Sequence, residues 1–148
     1  MLSYQHAYHA GCLADVHKHA ALAALIKHLQ TKQKPLSYID THAGRGLYNL
    51  ASAESKKTGE AAAGIVPILH AGAIPPEHPY ARSIAETRRM LGPAAYPGSP
   101  EIARRLLEPD DQLYLMELHP QEHAALKRVM TAPNIHVHKR DGFEGALA

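Results

Sequence analysis

Apolar residues recur along this chain with two periods. Between positions 14 and 31, ADVHKHAALAALIKHLQT places Leu22, Leu25, Ile26 and Leu29 at i, i+3, i+4 and i+7, the spacing of one helix face. Asp15 falls in the predicted first turn, where the helix dipole favours an acid. Pro35 stops any continuation, and LSYID (36–40) then reads as a buried strand bounded by that proline and by glycines. QLYLMELH (112–119) and NIHVHKRDG (134–142) read as two further strands. PQEHAALKRVM (120–130) reads as a helix with proline at its start. Ser99 as N-cap and Pro100 as first helical residue open a short helix, EIARRLL.

The stretch 51–98 differs. It is rich in proline and carries two helix-like pieces, TGEAAAGIVPILHAG and PYARSIAETRRMLG. It predicts a small helical insert between residues 1–50 (N-terminal segment, helix, first strand and glycine loop) and 99–148 (continuation of the core). The order helix, strand, insert, helix, strand, helix, strand predicts an α/β protein with a parallel sheet and crossover helices.

Composition narrows the classes without choosing one. The 148 residues are 45% hydrophobic and 20% charged, ordinary for a globular protein, with a net charge of +2. A pI near 8.7 permits a nucleic-acid partner without requiring one. The single cysteine, Cys12, excludes an intrachain disulfide and a Cys-rich zinc site. No secretory signal and no membrane-length apolar run is present, so the expected location is the cytoplasm, with no membrane partner.

The chemistry gathers at strand ends. IDTHAGRG (39–46) sets Asp40 ahead of Gly44 and Gly46, and the other two predicted strands lead into Glu117 and Asp141. In an open parallel sheet, ligands bind beyond the carboxyl ends of the strands. Glycines let the backbone approach such a ligand, and carboxylates accept from ribose hydroxyls or an adenine amino group. Any one of these acids alone is more often a solvated cap; the ordered combination points to a ligand. The acid precedes the glycines, against a nicotinamide enzyme, and no Gly-Lys-Ser/Thr is present for a P-loop. The remaining adenosyl cofactor is S-adenosylmethionine. Asp40 suits its cationic methionine part, and Ser99 at a helix N-terminus suits its carboxylate.

MLSYQHAYHAGCLADVHKH, YIDTHAGRGLY, TGE, YPGSP, ELHP and DGF together resemble the bacterial 23S ribosomal RNA adenine-N6 methyltransferases of the RlmJ type. The resemblance runs over essentially the whole chain and implies a Rossmann-like methyltransferase fold with a small helical insert. It implies cofactor contacts at His19, His42, Ser99, Glu117, Asp141 and Gly142, with Lys18 beside them. It also implies an RNA-side tyrosine at Tyr4, with His6 and His9 in the same segment. Arg45 departs from the pattern, since a small residue between the glycines would be easier. The family transfers the methyl group with an Asp-Pro-Pro-Tyr motif, and that motif does not occur in these residues. The resemblance therefore implies a cofactor-binding portion, inactive alone, with no catalytic residue of its own and an open strand edge prone to self-association.

Arg82, Arg88, Arg89, Arg104 and Arg105 lie in the insert and the helix after it, and offer either a solvated face or a phosphate-contacting patch. Arg88 and Arg89 are the RNA candidates of choice. His136 and His138 share a strand face, but no third ligand spacing makes a metal site with them. Two rivals to the ribosomal RNA enzyme remain: a DNA adenine methyltransferase, tied to an older description linking some relatives to use of external DNA, and a non-catalytic RNA-binding remnant.

Overall fold

The computed structural model describes residues 5–147. A three-stranded parallel sheet carries β1 (Ser37–Asp40), β4 (Gln112–Met116) and β5 (Ile135–His138) in the order β1-β4-β5. A two-stranded antiparallel ribbon pairs β2 (Leu47–Asn49) with β3 (Ala95–Pro97). The helices are α1 (Leu13–Gln30), α2 (Ala53–Thr58), α3 (Glu60–Ala63), α4 (Ile65–His70), α5 (Pro79–Leu91), α6 (Ser99–Leu106), α7 (Pro120–Val129) and α8 (Gly142–Ala146). A 3₁₀ turn, His6–Tyr8, precedes α1.

Alternation sorts the sheet into two faces. Tyr38, Leu113 and Ile135 align across the strands, as do Asp40, Leu115 and Val137. Leu113 and Leu115 are buried on this face, in one core with Ile26 of α1, Ile84 of α5, Ile102 of α6 and Leu126 of α7. The opposite face presents Ile39, Tyr114 and His136 in register. Here the strand read as buried differs: Ile39 is 54% exposed. Among the described residues β1 has a neighbouring strand on one side only, β4. At its start β1 is pinned by Asp111, which accepts from the Leu36 and Glu108 amides.

Several boundaries also move. β4 stops at Met116, because His119 caps α7 through its ring and Pro120 begins the helix. β5 stops at His138, opposite the end of β4, so Asp141 lies beyond the strand as the N-cap of α8. The buried stripe of α1 is Asp15, His19, Ala23 and Ile26, whereas Leu25 is 54% exposed. Small residues face inward because α5 and α6 pack directly on this helix.

The insert's first helix-like piece is broken into α3 and α4 at Gly64, and a further helix, α2, precedes it and ends at Gly59. Gly64 sits where the Ile65 amide donates to the Gly11 carbonyl, and a Cβ there would run into that carbonyl oxygen. The β2–β3 ribbon is not foreseen by the pattern. Three-residue strands separated by the whole insert leave no alternation to read.

Candidate active site

One cavity of about 450 Å³ opens beyond the C-terminal ends of β1 and β4. Nine of the residues singled out from the sequence line it: His6, Lys18, His19, His42, Gly44, Ser99, Glu117, Asp141 and Gly142. Tyr4 lies outside the described residues.

Each acid is placed by local backbone logic. Glu117 follows β4 and accepts from the Gly44 amide (2.8 Å) and the His119 amide (2.7 Å), clamping the glycine loop to the start of α7. Asp141 Oδ1 accepts from the Phe143 and Glu144 amides at 2.8 and 3.1 Å, while Oδ2 makes no hydrogen bond with the described residues. Gly142 is required by close approach, since a Cβ there would collide with the Thr41 carbonyl. Gly44 takes φ +62°, so the loop can turn at the cavity wall without steric cost.

Two sequence expectations shift. Asp40 does not line the cavity. Its Oδ2 accepts from the Ser99 and Tyr38 hydroxyls at 2.6 and 2.8 Å, and Oδ1 from the His42 amide at 3.1 Å. It holds wall residues from behind, and burial with the adjacent carboxylate pushes the Tyr38 phenol well above its usual range. Gly46 also lies off the cavity, turning the chain with φ +78° against Leu126 and Met130. Arg45, between the two glycines, leaves the loop open by reaching α7: its Nε and Nη2 bind both carboxylate oxygens of buried Glu122 at 2.8 and 2.5 Å.

The α1 side of the cavity is a charged hub that the sequence reading passed over as a dipole effect. Asp15 is fully buried; its Oδ2 accepts from His6 Nε2 (2.7 Å) and the Gly11 amide (3.0 Å), and Oδ1 lies 3.2 Å from Lys18 Nζ. Burial raises its pKa, but the His6 bond and the nearby imidazoles outweigh this and hold it at about 2. One turn on, His19 Nδ1 meets the Tyr96 hydroxyl at 2.9 Å, and Tyr96 meets Tyr80 at 2.8 Å. Burial, with the Lys18 and His6 charges, depresses His19 to about 4 against the pull of Asp15 and Asp40. His19 is therefore a neutral ring at physiological pH.

Other cavity residues were given no site role: Asp15, Tyr48, His119 and Glu122 among them. For Asp15 and Glu122 the only signal was a charge at a position that the helix period carries onto the buried stripe. Neither Arg88 nor Arg89 lines the cavity; Arg89 is exposed, and Arg88 Nε donates to the Ala95 carbonyl at 3.4 Å. Arg104 and Arg105 are tied to buried Glu101, each at 2.7 Å, which removes them from the basic patch. His136 stacks on Tyr114 and binds Gln112. Among the described residues no cluster of three or more His, Cys, Asp or Glu side chains is arranged to hold a metal, and no helix is long and apolar enough to cross a membrane.

An open parallel sheet with an acid-lined cavity past its strand ends defines a ligand-binding α/β domain. The family can be given more closely. A family profile described as "Ribosomal RNA large subunit methyltransferase D, RlmJ" matches residues 33–148, and the chain belongs to that family. Two curated relatives carry the name "Ribosomal RNA large subunit methyltransferase J". One, from Escherichia coli, is 42% identical over 97% of this chain and 52% of its own length. The other, from Haemophilus influenzae, is 38% identical over 100% of this chain and 54% of its own. A crystal structure of a Legionella pneumophila protein superposes with a TM-score of 0.75 at 35% identity, covering 92% of this chain and 51% of that one. The chain thus spans about half the length of the curated relatives it matches.

Proposed function

We propose that this chain is the cofactor-binding portion of an S-adenosylmethionine-dependent enzyme that methylates N6 of an adenine in 23S ribosomal RNA. The supporting observation is that one cavity is lined both by the acids Glu117 and Asp141 and by Lys18, His19 and Ser99. This donor set fits the cofactor. Lys18, His19 and the Ser99 backbone amide at the start of α6 suit a carboxylate, Glu117 suits ribose hydroxyls, and the unpartnered Oδ2 of Asp141 suits an adenine amino group. Gly142 keeps the wall open by lacking a Cβ. When bound, S-adenosylmethionine supplies an electrophilic methyl on a sulfonium.

Asp40, from behind, orients Ser99 and the His42 backbone rather than touching the ligand. His6 and Lys18, joined through Asp15, form the edge of the cavity next to the N-terminal segment and serve the RNA side. Lys18 borders both ligands. Attack by an adenine nitrogen on a methyl needs mainly alignment and a suitable field, so such residues act by positioning. No Asp-Pro-Pro-Tyr occurs in the sequence, and the 148 residues alone are proposed to transfer no methyl group. The preference for RNA over DNA follows the names of the relatives, not the cavity.

The test uses the protein at the length of its curated relatives. Methyl incorporation into unmodified 23S ribosomal RNA, and S-adenosylhomocysteine affinity, are measured for wild type and Asp141→Asn. The expected result is turnover in wild type and a loss of affinity of about tenfold or more in the variant, the worth of a hydrogen bond to a charged group. Wild-type protein that neither binds the cofactor nor methylates RNA refutes the proposal, and preferential methylation of DNA corrects its substrate.

A further inference from the structure

The Tyr80–Tyr96–His19 chain has a direction, and the direction decides what His19 offers to the cavity. All three side chains are buried; Tyr80 and Tyr96 are fully so, and His19 is 5% exposed. The Tyr96 hydroxyl lies between His19 Nδ1 (2.9 Å) and the Tyr80 hydroxyl (2.8 Å). Each hydroxyl has one proton and can accept twice, so three arrangements exist. In the first, Tyr80 donates to Tyr96 and Tyr96 donates to Nδ1, leaving the imidazole proton on Nε2. In the second, Nδ1–H donates to Tyr96, Tyr96 donates to Tyr80, and the Tyr80 proton is left over. In the third, Nδ1–H and Tyr80 both donate to Tyr96, and the Tyr96 proton is left over.

The Tyr80 hydroxyl has no other hydrogen-bond partner among the described residues, and a buried donor without an acceptor is costly. Only the first arrangement gives both hydroxyl protons an acceptor, leaving the Nε2–H to the cavity side. His19 Nε2 makes no hydrogen bond with the described residues, and His19 lines the cavity. We propose that Tyr96 is a positioning residue: relayed from Tyr80, its hydroxyl fixes His19 as the Nε2–H tautomer, a neutral donor aimed at an anionic carboxylate of the ligand. Its ligand class rests on the cofactor reading above; its tautomer does not.

This donor complements the others. Lys18 contributes a mobile charge that is also engaged by Asp15, and Ser99 spends its proton on Asp40. A carboxylate entering here finds in His19 an N–H that no described residue competes for. A permanently protonated imidazole would add charge beside Lys18 and bury it. A neutral N–H delivers direction without that cost.

The experiment separates tautomer from ligand. Long-range ¹H–¹⁵N spectra of the labelled chain at pH 7 report the protonated nitrogen of His19, assigned by its loss in His19→Asn. Wild type is expected to give the Nε2–H pattern. Tyr80→Phe removes the reason for the direction and is expected to give a mixture; Tyr96→Phe removes the hydroxyl that donates to Nδ1 and does the same. A wild-type Nδ1–H signal overturns the proposal, whether or not any variant folds.

Affinity for two probes then tests the consequence. S-adenosylhomocysteine carries the amino-acid carboxylate and 5′-methylthioadenosine lacks it. Tyr96→Phe is expected to weaken the first by about tenfold, a charged hydrogen bond's worth, and to leave the second unchanged. Equal weakening of both means a merely structural role and overturns the positioning claim. If wild type binds neither probe, the cofactor reading fails while the tautomer result stands by itself.

Discussion

Substituting His19 by asparagine removes one titrating group from the core while keeping a polar atom near the place of Nδ1. Its folded-state pKa, about 4, lies below the ordinary value of 6.5 because burial disfavours the charged ring, reinforced by Lys18 and His6. The unfolded chain therefore binds a proton that the folded chain refuses between those two values. Stability from this group is complete above about pH 6.5 and is lost as pH falls toward 4. The full span is about 3 kcal/mol, at about 1.4 kcal/mol per pH unit. Between pH 7 and pH 5 the loss is about 2 kcal/mol. Asp15, held at about 2, stays ionised through this window. The assay is urea unfolding of wild type and His19→Asn at pH 7 and pH 5. At an m-value of about 2 kcal/mol/M, the wild-type midpoint should fall about 1 M further than the variant's, although the variant begins lower. Parallel shifts in the two proteins would refute the buried neutral ring, and with it the electrostatic account of this wall.

Asp15→Ala deprives His6, the Gly11 amide and Lys18 of a shared acceptor and should cost about 3 kcal/mol or more by thermal unfolding. The wild-type acid limb should show the same contact, stability being lost as pH falls from about 4 toward 2; an unchanged limb in the variant would contradict this. Replacing Arg88 and Arg89 by alanine should flatten the salt dependence of RNA binding by about one to two phosphate contacts, measured by filter binding from low to moderate salt. An unaltered slope would leave them a solvated face. Ile39→Lys should reduce concentration-dependent association of the isolated chain, read by light scattering, because it charges an apolar position on an open strand. Wild type that stays monomeric on concentration would remove the reason for the effect.

The core of the fold was legible because its elements are long or sharply punctuated. The helix read over 14–31, the strands after Pro35 and before Pro120, and the Ser99–Pro100 start all fall within a few residues of their observed bounds, although Gly98 and not Ser99 is the N-cap of α6. What escaped depends on neighbours rather than on local pattern. Periodicity marks an apolar face by its largest residues, so it chose Leu25; close helix packing instead selected Ala23 and placed His19 and Asp15 inside. The ribbon of β2 and β3 is set by pairing across the whole insert, which no window can see. In the site, spacing found the acids and glycines but not the partners. Nothing in IDTHAGRG reveals that Asp40 turns back toward Ser99, 59 positions on, or that Arg45 reaches Glu122.

The acids are anchors as well as candidate ligand contacts, and this governs which substitutions are informative. Asp40 accepts from the amide two residues ahead, Glu117 from amides in two loops, and Asp141 from the first amides of α8. Each carboxylate thus orders the loop following its strand before any ligand arrives. Alanine at Glu117 removes the clamp and the ligand contact together. Glutamine there is no cleaner, because both oxygens already face amides and its NH₂ would oppose one of them. Asp141 differs in that both amides share Oδ1. Asparagine can keep that oxygen in place, retain the helix cap and convert only the free side from acceptor to donor. Asp141→Asn therefore isolates the ligand contact from the fold, because the helix that the residue starts asks nothing of the atom that changes.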